Sequence, residues 1–536
     1  MSKSKVSKLL PISAAEVGRI LGPLRAGVVP HTGFQHFQVG RSAQIMALAN
    51  DRETAREGGA SIRFVIGPYG SGKSFLLGLD AASAREEKFA TSAVDLSPDK
   101  RLYDRQGRAL ALWTEIIAHL ATRSSPVGGA LTALLDRFAI SADEEAETDS
   151  ITPDAVLKKR MTRLAEMPLG HDFSVVIRAY RRGHDEGDED LTNNALRWFR
   201  GEYTRKSDAR ADLGVSSIIF DDNVWDAIKL LAQLTRLSGY SGLVLAVDEL
   251  VNVFKMTNTQ ARHSNIEQIL RITNDLLQGT VEGLCVRFGG TPESLEHPSK
   301  GLYYYEALRS RLAPNQYAGQ GRVDTAGPVL RLPNLTEGEL LVLLRRLRHI
   351  HATGDESAYL LPDQALTAFI EACHARLGDA AFRTPRNTIV EFLHLLDVLG
   401  NNPSLDWQDL VKDIPIKPDN GPEEDVPATE ATDHGQIEDV VVATLESTPA
   451  NATHWSRAKM AERTGLSKST IGRIWKSFEL KPHRADGFKL SNDPLFIEKV
   501  HDVVGLSRTR PRPRSCSVSM RRARSKHSLV RSRRSR

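Results

Sequence analysis

The sequence predicts an α/β fold, in which a parallel β-sheet is followed by a helical domain. An apolar run at residues 64–66 leads directly into a glycine-rich segment, as where a strand passes through a loop into a helix. A continuous apolar run at 242–247 ends in two acids, which is typical of a strand buried on both faces of a parallel sheet. Leucines at helical spacing follow residue 336 and indicate a helical lid.

The glycine-rich segment fits the pattern G-x-x-x-x-G-K-[ST] at every fixed position, which predicts a phosphate-binding loop. Its glycines let backbone N–H groups face one anion, and a helix that begins near Lys73 adds the positive end of its dipole. We expect Lys73 to reach the β- and γ-phosphates of ATP, and Ser74 to ligate Mg²⁺. The apolar residues on both sides favour this interpretation over a chance glycine-rich turn. The predicted nucleotide-binding residues are Gly67, Pro68, Tyr69, Gly70, Ser71, Gly72, Lys73 and Ser74.

Two acids, Asp248 and Glu249, follow the apolar run at 242–247. Beside a phosphate loop, an aspartate in this place holds the water shell of Mg²⁺, and the next glutamate polarises the attacking water. A run that ends in Asp-Glu is common by itself, so the phosphate loop is what makes the pair informative. The predicted metal site combines Ser74 with Asp248, and Glu249 is the predicted base.

Three more residues are candidate members of this site. Thr291 ends a predicted strand at 283–291, where it would contact the γ-phosphate or the lytic water, or else cap the next turn. Arg311, ahead of Arg309, would project across a subunit boundary onto a neighbour's nucleotide, or else lie on a surface helix. Arg386 begins a predicted helix and would reach back to the phosphates, or else be structural.

Other segments complete the predicted α/β pattern. Residues 22–60 precede the first strand, and a lead-in segment in this position commonly packs over the base of a bound nucleotide. Residues 124–215 are charged and mostly helical in pattern, and within them the acidic run at 143–149 is predicted to be a solvated loop rather than a metal site. Further strands are predicted at 90–96 and 328–332, and helices at 43–56, 110–120, 266–277 and 389–399.

Charge is distributed unevenly along the chain. The net charge is +4, although residues 507–536 alone hold eleven Arg and one Lys without an acid. The rest of the chain is therefore net negative, so the basic balance does not imply a nucleic-acid surface there. Since 40% of residues are hydrophobic and no apolar run reaches membrane-spanning length, we expect a globular cytoplasmic protein without a membrane partner.

The order of these motifs is similar to that of AAA+ and related additional-strand P-loop ATPases. A narrower resemblance is carried by five short segments, at 67–75, 94–98, 197–202, 247–250 and 301–312. These segments resemble the BREX-type ATP-binding proteins of the BrxD-like group, which belong to a bacterial anti-phage system. The resemblance covers about residues 10–420, and it implies ATP binding, with hydrolysis allowed, in an assembly with other defence proteins.

A second resemblance begins near residue 436, because residues 446–506 are similar to the DNA-binding part of transposases of the IS630 type. The residue pattern predicts a first helix at 456–463 and a second at 467–478, as in a helix-turn-helix. A plain αα-hairpin is the alternative. The side chains predicted to lie toward the major groove of DNA are Lys468, Ser469, Thr470 and Arg473.

The transposase resemblance stops at residue 506, where a strand with the first acid of a two-metal DDE site would follow. Codons can be chosen for 517–528 that encode such a strand in a shifted frame. We therefore hypothesise that an insertion element interrupted the gene and that the tail is its out-of-frame translation. The alternative is an Arg-rich arm that binds nucleic acid electrostatically. In both cases the tail has too few apolar residues to fold.

These patterns divide the chain into six predicted segments. They are an N-terminal lead-in at 1–60, a P-loop ATPase core at 61–332 with a helical insertion at 124–215, a helical lid at 333–415, a linker at 416–435, a helix-turn-helix module at 436–506 and a disordered tail at 507–536.

The sequence favours a Mg²⁺-dependent ATPase that passes a conformational change to a DNA-acting complex. One alternative is a nucleotide-gated DNA-binding switch with little hydrolysis. Another is a transposition-related DNA-binding fusion, which would lack recombinase activity without a complete DDE triad. The expected partners are other defence proteins and DNA, which the chain would contact directly or through those proteins. Further copies of this chain are expected as partners if Arg311 acts across a subunit boundary.

Overall fold

The structure is a computed structural model that describes residues 11–149, 152–315, 324–382 and 384–412, together with parts of the C-terminal region. The chain divides into two compact units, Met1–Pro422 and Glu423–Arg536. The larger unit contains the sheet and nineteen of the α-helices among the described residues. None of the described helices is both long enough and apolar enough to cross a membrane.

Five parallel strands form the sheet of the larger unit, in the order β2-β3-β4-β1-β5. Each overlaps a predicted strand, so the predicted parallel sheet is confirmed. β4 lies between β1 and β3, and β1 lies between β4 and β5. The strands are β1 (Ala60–Ile66), β2 (Ala90–Asp95), β3 (Leu243–Asp248), β4 (Leu284–Gly290) and β5 (Val329–Arg331).

The central strands are buried throughout, which explains their continuous apolar runs. Every residue of β3 and β4 is buried, as expected for a parallel sheet that helices cover on both faces. The register pairs Ile66 with Gly290 across β1 and β4, and Val247 with Phe288 across β3 and β4. The segments that follow β1, β3 and β4 therefore leave the sheet at the same edge.

The helices of the larger unit confirm those predicted at 43–56, 110–120, 266–277 and 389–399, with ends displaced by several residues. They are α1 (Ala14–Arg25), α2 (Phe34–Phe37), α3 (Ser42–Arg56), α4 (Lys73–Glu86), α5 (Arg108–Ala118), α6 (Leu131–Asp149), α7 (Pro153–Ala165), α8 (Gly170–Glu186), α9 (Glu189–Phe199), α10 (Lys206–Leu213), α11 (Val224–Leu237), α12 (Val251–Phe254), α13 (Thr259–Leu277), α14 (Pro292–Glu296), α15 (Glu306–Leu312), α16 (Glu337–His351), α17 (Asp363–Phe382), α18 (Pro385–Asn401) and α19 (Trp407–Lys412).

Residues on alternate faces of the strands pack against different helices. Val65, Ala246 and Leu330 belong to a cluster with α3 and α4. Phe64 and Leu245 point to the opposite face, where their cluster includes residues of α5, α11 and α13. Helix α4, which begins directly after the glycine-rich segment, is thus held against the sheet.

The helical character predicted for residues 124–215 is confirmed by α6 to α10, but the loop predicted at 143–149 is wrong. These acids continue α6 as far as Asp149. Arg137 pairs with Glu144 at 3.0 Å, and Arg160 pairs with Glu145 at 2.6 Å. With Glu144 and Glu145 in ion pairs and Ala146 buried in the core, this part of the acidic run is stabilised as a helix.

Helix α16 begins at the predicted capping box, in which Thr336 and Glu339 bond reciprocally. Its buried leucines share a core with α1, α2, α17 and α18, in a cluster that joins Ile20 and Phe34 to Leu340. The N-terminal helices therefore pack with the helices that follow the sheet.

The smaller unit is described only in part, at residues 440, 443–444, 455–468, 471–472 and 475. Helix α20 (Arg457–Thr464) begins after Ser456, whose hydroxyl accepts from the Lys459 N–H, and ends at Gly465 in the left-handed conformation. This confirms the first helix predicted there. Lys468 is described, whereas the positions predicted to contact DNA at Ser469, Thr470 and Arg473 lie outside the described residues.

A buried ionic network lies between the sheet and the helices α3 and α4. Arg287 of β4 is fully buried, and its guanidinium contacts Asp80 at 3.2 Å and Asp51 at 3.3 Å. Asp80 also pairs with Arg52, and Asp51 pairs with Arg63 at 2.7 Å. Because isolated charges are costly to bury, these contacts fix both helices to the strands.

We expect Asp80→Ala to destabilise the larger unit by about 3 kcal/mol, because it removes the acid that two buried guanidiniums, those of Arg52 and Arg287, share. The matched control is Glu296→Ala, which removes an acid from an exposed pair with Arg331 and should cost less than about 1 kcal/mol. Urea unfolding of the two variants measures the difference. Equal losses in both would contradict the importance assigned to the buried network.

Candidate functional site

The glycine-rich segment forms a tight loop between β1 and α4. Gly70 and Gly72 have φ of +69° and +87°, a conformation that residues with a Cβ rarely adopt. The Gly67 N–H donates to the Gly290 carbonyl at 3.1 Å, which ties the start of the loop to β4. The loop has the form of an anion cradle that opens onto the N-terminus of α4.

Lys73, the first residue of α4, has its ammonium group over this loop. Its Nζ donates to the carbonyl oxygens of Gly67 and Pro68, both at 3.0 Å, and lies 5.4 Å from the centre of the Tyr69 ring. The Lys73 ammonium group is therefore held at the opening of the loop, where it can bind an anion.

Ser74 and Asp248 meet at the carboxyl edge of the sheet. The Ser74 hydroxyl donates to Asp248 Oδ2 at 2.6 Å, and the Glu249 N–H donates to Asp248 Oδ1 at 2.8 Å. The close approach depends on Gly289, since a Cβ there would lie 2.0 Å from Asp248 Oδ1. A hydroxyl and a carboxylate in contact fit Mg²⁺, which prefers oxygen ligands and takes few of them from protein.

Glu249 follows Asp248 in an uncommon backbone conformation. Its φ is +58°, in the left-handed region that costs a residue with a Cβ about 1–2 kcal/mol. Burial raises the pKa of the Glu249 carboxyl above its ordinary value, Asp248 and Asp95 raise it further, and Lys73 opposes the shift. Such strain and a raised pKa are typical of a functional carboxylate.

Two charged residues at the site were not predicted to belong to it. Asp95 ends β2 and pairs in register with Asp248, and burial raises its pKa, as does the charge of Asp248. Arg41 donates to the Ser71 carbonyl of the loop. Burial lowers the pKa of Arg41 to about 10, and Glu339 opposes this shift, so the guanidinium stays charged at neutral pH.

Sequence patterns contain partial indications of both residues. Asp95 is an acid at the end of a predicted strand, which is the same indication that led to Asp248. Arg41 follows Gly40 ahead of the first strand, and both have left-handed φ, of +65° and +59°. Nothing in the residue pattern, however, shows that the Arg41 side chain turns toward Ser71.

The three other predicted residues lie in different places. Arg386 lies beside the loop, with its N–H 3.4 Å from the Gly70 carbonyl, and its guanidinium packs on Gly27, where a Cβ would lie 2.9 Å from Arg386 Nε. Thr291 is buried, 3.4 Å from the Ser294 hydroxyl. Arg311 donates to the Ala307 carbonyl on α15. Among the described residues, the cleft at the loop is lined by Arg386 but not by Thr291 or Arg311.

This cleft has a volume of about 750 Å³ and contains the loop, Asp248 and Glu249 on one wall. Apolar side chains from residues before β1 and after β5 also line the cleft, among them Val29, Pro30, Phe34, Leu335 and Ile389. The space combines an anion cradle, acids and an apolar wall, which suits a ligand with a polyanionic end and an aromatic end. Within the described residues, no three His, Cys, Asp or Glu side chains come together as a metal cluster.

A loop of this form, a hydroxyl–carboxylate pair and an apolar wall are the features expected of a nucleotide site. Comparison with curated proteins gives no match. Residues 12–414 match the model of a family described as BREX system ATP-binding protein BrxC/D, which is about three quarters of the chain and includes every residue of the cleft. The chain therefore belongs to the BrxC/D family of BREX system ATP-binding proteins.

Proposed function

We propose that the chain binds ATP with Mg²⁺ in this cleft, hydrolyses it and passes the change of state to a DNA-acting defence assembly. The hydrogen bond of 2.6 Å between Ser74 and Asp248 is the observation that carries the proposal. It brings the two expected Mg²⁺ ligands together beside a phosphate loop whose lysine is already oriented over it.

Binding would begin with the loop. The N–H groups of residues 70–74 and the end of the α4 dipole attract the phosphates, and the Lys73 ammonium exchanges the Gly67 and Pro68 carbonyls for phosphate oxygens. Bound Mg²⁺ would neutralise charge on the β- and γ-phosphates. Ser74 and Asp248 are the residues that would hold it, directly or through water.

Hydrolysis requires a base near the γ-phosphate. Glu249 would accept a proton from water as the water oxygen bonds to the γ-phosphorus and the bond to the β–γ bridging oxygen breaks. Its raised pKa brings the carboxylate closer to the basicity that proton transfer at neutral pH needs. Arg41 and Arg386 would stabilise the charge that develops, because both line the cleft.

The remaining predicted roles belong to the same proposal. Arg311, on the surface helix α15, would act on the nucleotide of a neighbouring copy, which makes a homo-oligomer part of the mechanism. Thr291 would act only if the loop after β4 moved toward the γ-phosphate. DNA would be reached through partners, or through Lys468, Ser469, Thr470 and Arg473 in the smaller unit.

We expect Lys73→Ala to weaken ATP binding at least about tenfold, and Glu249→Gln to keep binding while lowering kcat by about 10²–10⁴. Lys159→Ala is the matched control, because this lysine is exposed on α7. Titration with a fluorescent ATP analogue and phosphate release measure the two steps. Unchanged hydrolysis and unchanged phage restriction in Glu249→Gln would rule out the hydrolytic mechanism.

We expect Gly289→Ala to abolish the strengthening of ATP binding by Mg²⁺. The added methyl group displaces the Asp248 carboxylate, which lies 2.0 Å from the position of the new Cβ. Gly338→Ala is the control, because a Cβ there meets nothing within 4 Å. Titrations with Mg²⁺ and with EDTA provide the measurement, and circular dichroism checks the fold. A Mg²⁺ effect of normal size would contradict the assignment of Asp248.

We expect kcat to fall at low pH, because only the deprotonated Glu249 can accept a proton. Since burial and neighbouring acids raise its pKa, this loss should begin at a higher pH than for an ordinary glutamate. Asp95→Asn removes one neighbouring negative charge, so the acidic limb should move to lower pH. Profiles of kcat against pH for the wild type and this variant test the sign. A limb that stays in place would show that Asp95 does not act on the base.

A further inference from the structure

Residues 38–44, which lead into α3, contact both the phosphate loop and helix α16. On the loop side, the Arg41 guanidinium donates through Nη2 to the Ser71 carbonyl. On the other side, the Arg346 guanidinium of α16 donates to the Gln38 carbonyl. One short segment of chain therefore connects the loop that is expected to hold phosphates with the first helix after the sheet.

Glu339, in the first turn of α16, makes a second contact with this segment. Its Oε2 accepts from the N–H and the hydroxyl of Thr336, at 2.8 and 2.9 Å, in the capping box. The carboxyl group also lies against Gly40, where a Cβ would be 2.9 Å from the Glu339 carboxyl carbon. The glycine thus lets the carboxylate approach the residue that precedes Arg41.

The negative charge of Glu339 acts on Arg41. Burial lowers the pKa of the Arg41 guanidinium to about 10, and Glu339 opposes this shift. A cation that loses part of its hydration is unfavourable unless an opposite charge offsets the loss. Glu339 therefore stabilises the charged form of Arg41 in the place where it donates to Ser71.

Two features of Arg41 are typical of a residue that responds to a ligand. Its φ of +59° lies in the left-handed region, which is unfavourable for a residue with a Cβ. Among the described residues, its Nη1 is buried and has no hydrogen-bond partner. Because Arg41 lines the cleft, an anion bound at the loop can supply that partner and hold the guanidinium more firmly.

We propose that Glu339 is a positioning residue for the phosphate loop, on which it acts through Arg41. With Glu339 in place, Arg41 stays on the Ser71 carbonyl and keeps the loop in the shape that receives phosphates. Coupling between two sites is reciprocal, so a nucleotide that fixes Arg41 also stabilises the first turn of α16. This link rests on the nucleotide binding proposed above, but not on hydrolysis.

Glu339→Gln tests the charge alone, because glutamine at this position keeps the capping box. We expect the variant to bind adenylyl imidodiphosphate, a non-hydrolysable ATP analogue, with Mg²⁺ about fivefold more weakly than the wild type does. Glu337→Gln is the matched control, because it removes an acid from the same turn of α16 at an exposed position, and it should bind normally. Equal affinity of Glu339→Gln and the wild type would overturn the proposal.

A double variant separates action through Arg41 from a general effect on α16. If Glu339 acts through Arg41, adding Glu339→Gln to Arg41→Gln should cause no further loss of affinity. A loss of about fivefold that persists in the Arg41→Gln background would mean that Glu339 only supports the helix, which would also overturn the proposal.

Hydrogen exchange measures whether the bound analogue affects α16. In the wild type, the analogue should slow exchange in the loop at 67–74 and in the first turn of α16. In Glu339→Gln saturated with analogue, it should slow exchange in the loop only. Protection of the loop without α16 in the wild type would overturn the link and leave nucleotide binding intact. Protection of neither segment would contradict nucleotide binding itself, and the link with it.

Discussion

The hydrogen bond between Ser74 and Asp248 is the contact on which the candidate site depends. It joins residues 174 positions apart in the chain, and it forms only because β1, β4 and β3 lie side by side in parallel. The register then brings the end of the phosphate loop to the carboxyl end of β3. Gly289, in the strand between them, leaves the space that the carboxylate occupies.

Beneath this contact, burial of charge holds the elements in place. Asp80 lies in the same helix as Lys73 and Ser74, and its carboxylate is held between Arg52 and Arg287. The helix that presents the cation and the hydroxyl is thereby fixed to β4 by charge as well as by apolar packing. An ionic anchor of this kind is costly to desolvate, and removal of one partner is more damaging than replacement of the whole group.

The local patterns were sufficient to predict the parts of the fold that depend on short stretches of sequence. The phosphate loop, the five strands and the capping box at Thr336 are of this kind, because glycine spacing, apolar runs and capping residues act over a few positions. The acidic helix end at 143–149 was not predicted, since its ion pairs come from Arg137, earlier in the same helix, and from Arg160 of another helix. Arg41 and Asp95 at the site also required knowledge of which segments are neighbours in space.

The helical insertion has no separate hydrophobic core. Phe173 and Trp198 of the insertion and Phe64 and Leu245 of the sheet belong to one continuous cluster of buried side chains, and the Trp113 indole N–H of α5 donates to the Phe199 carbonyl at 2.8 Å. Elements that share a core unfold together. The insertion therefore cannot be removed as an accessory module, and a ligand that stabilises the cleft will also protect insertion helices that do not touch it.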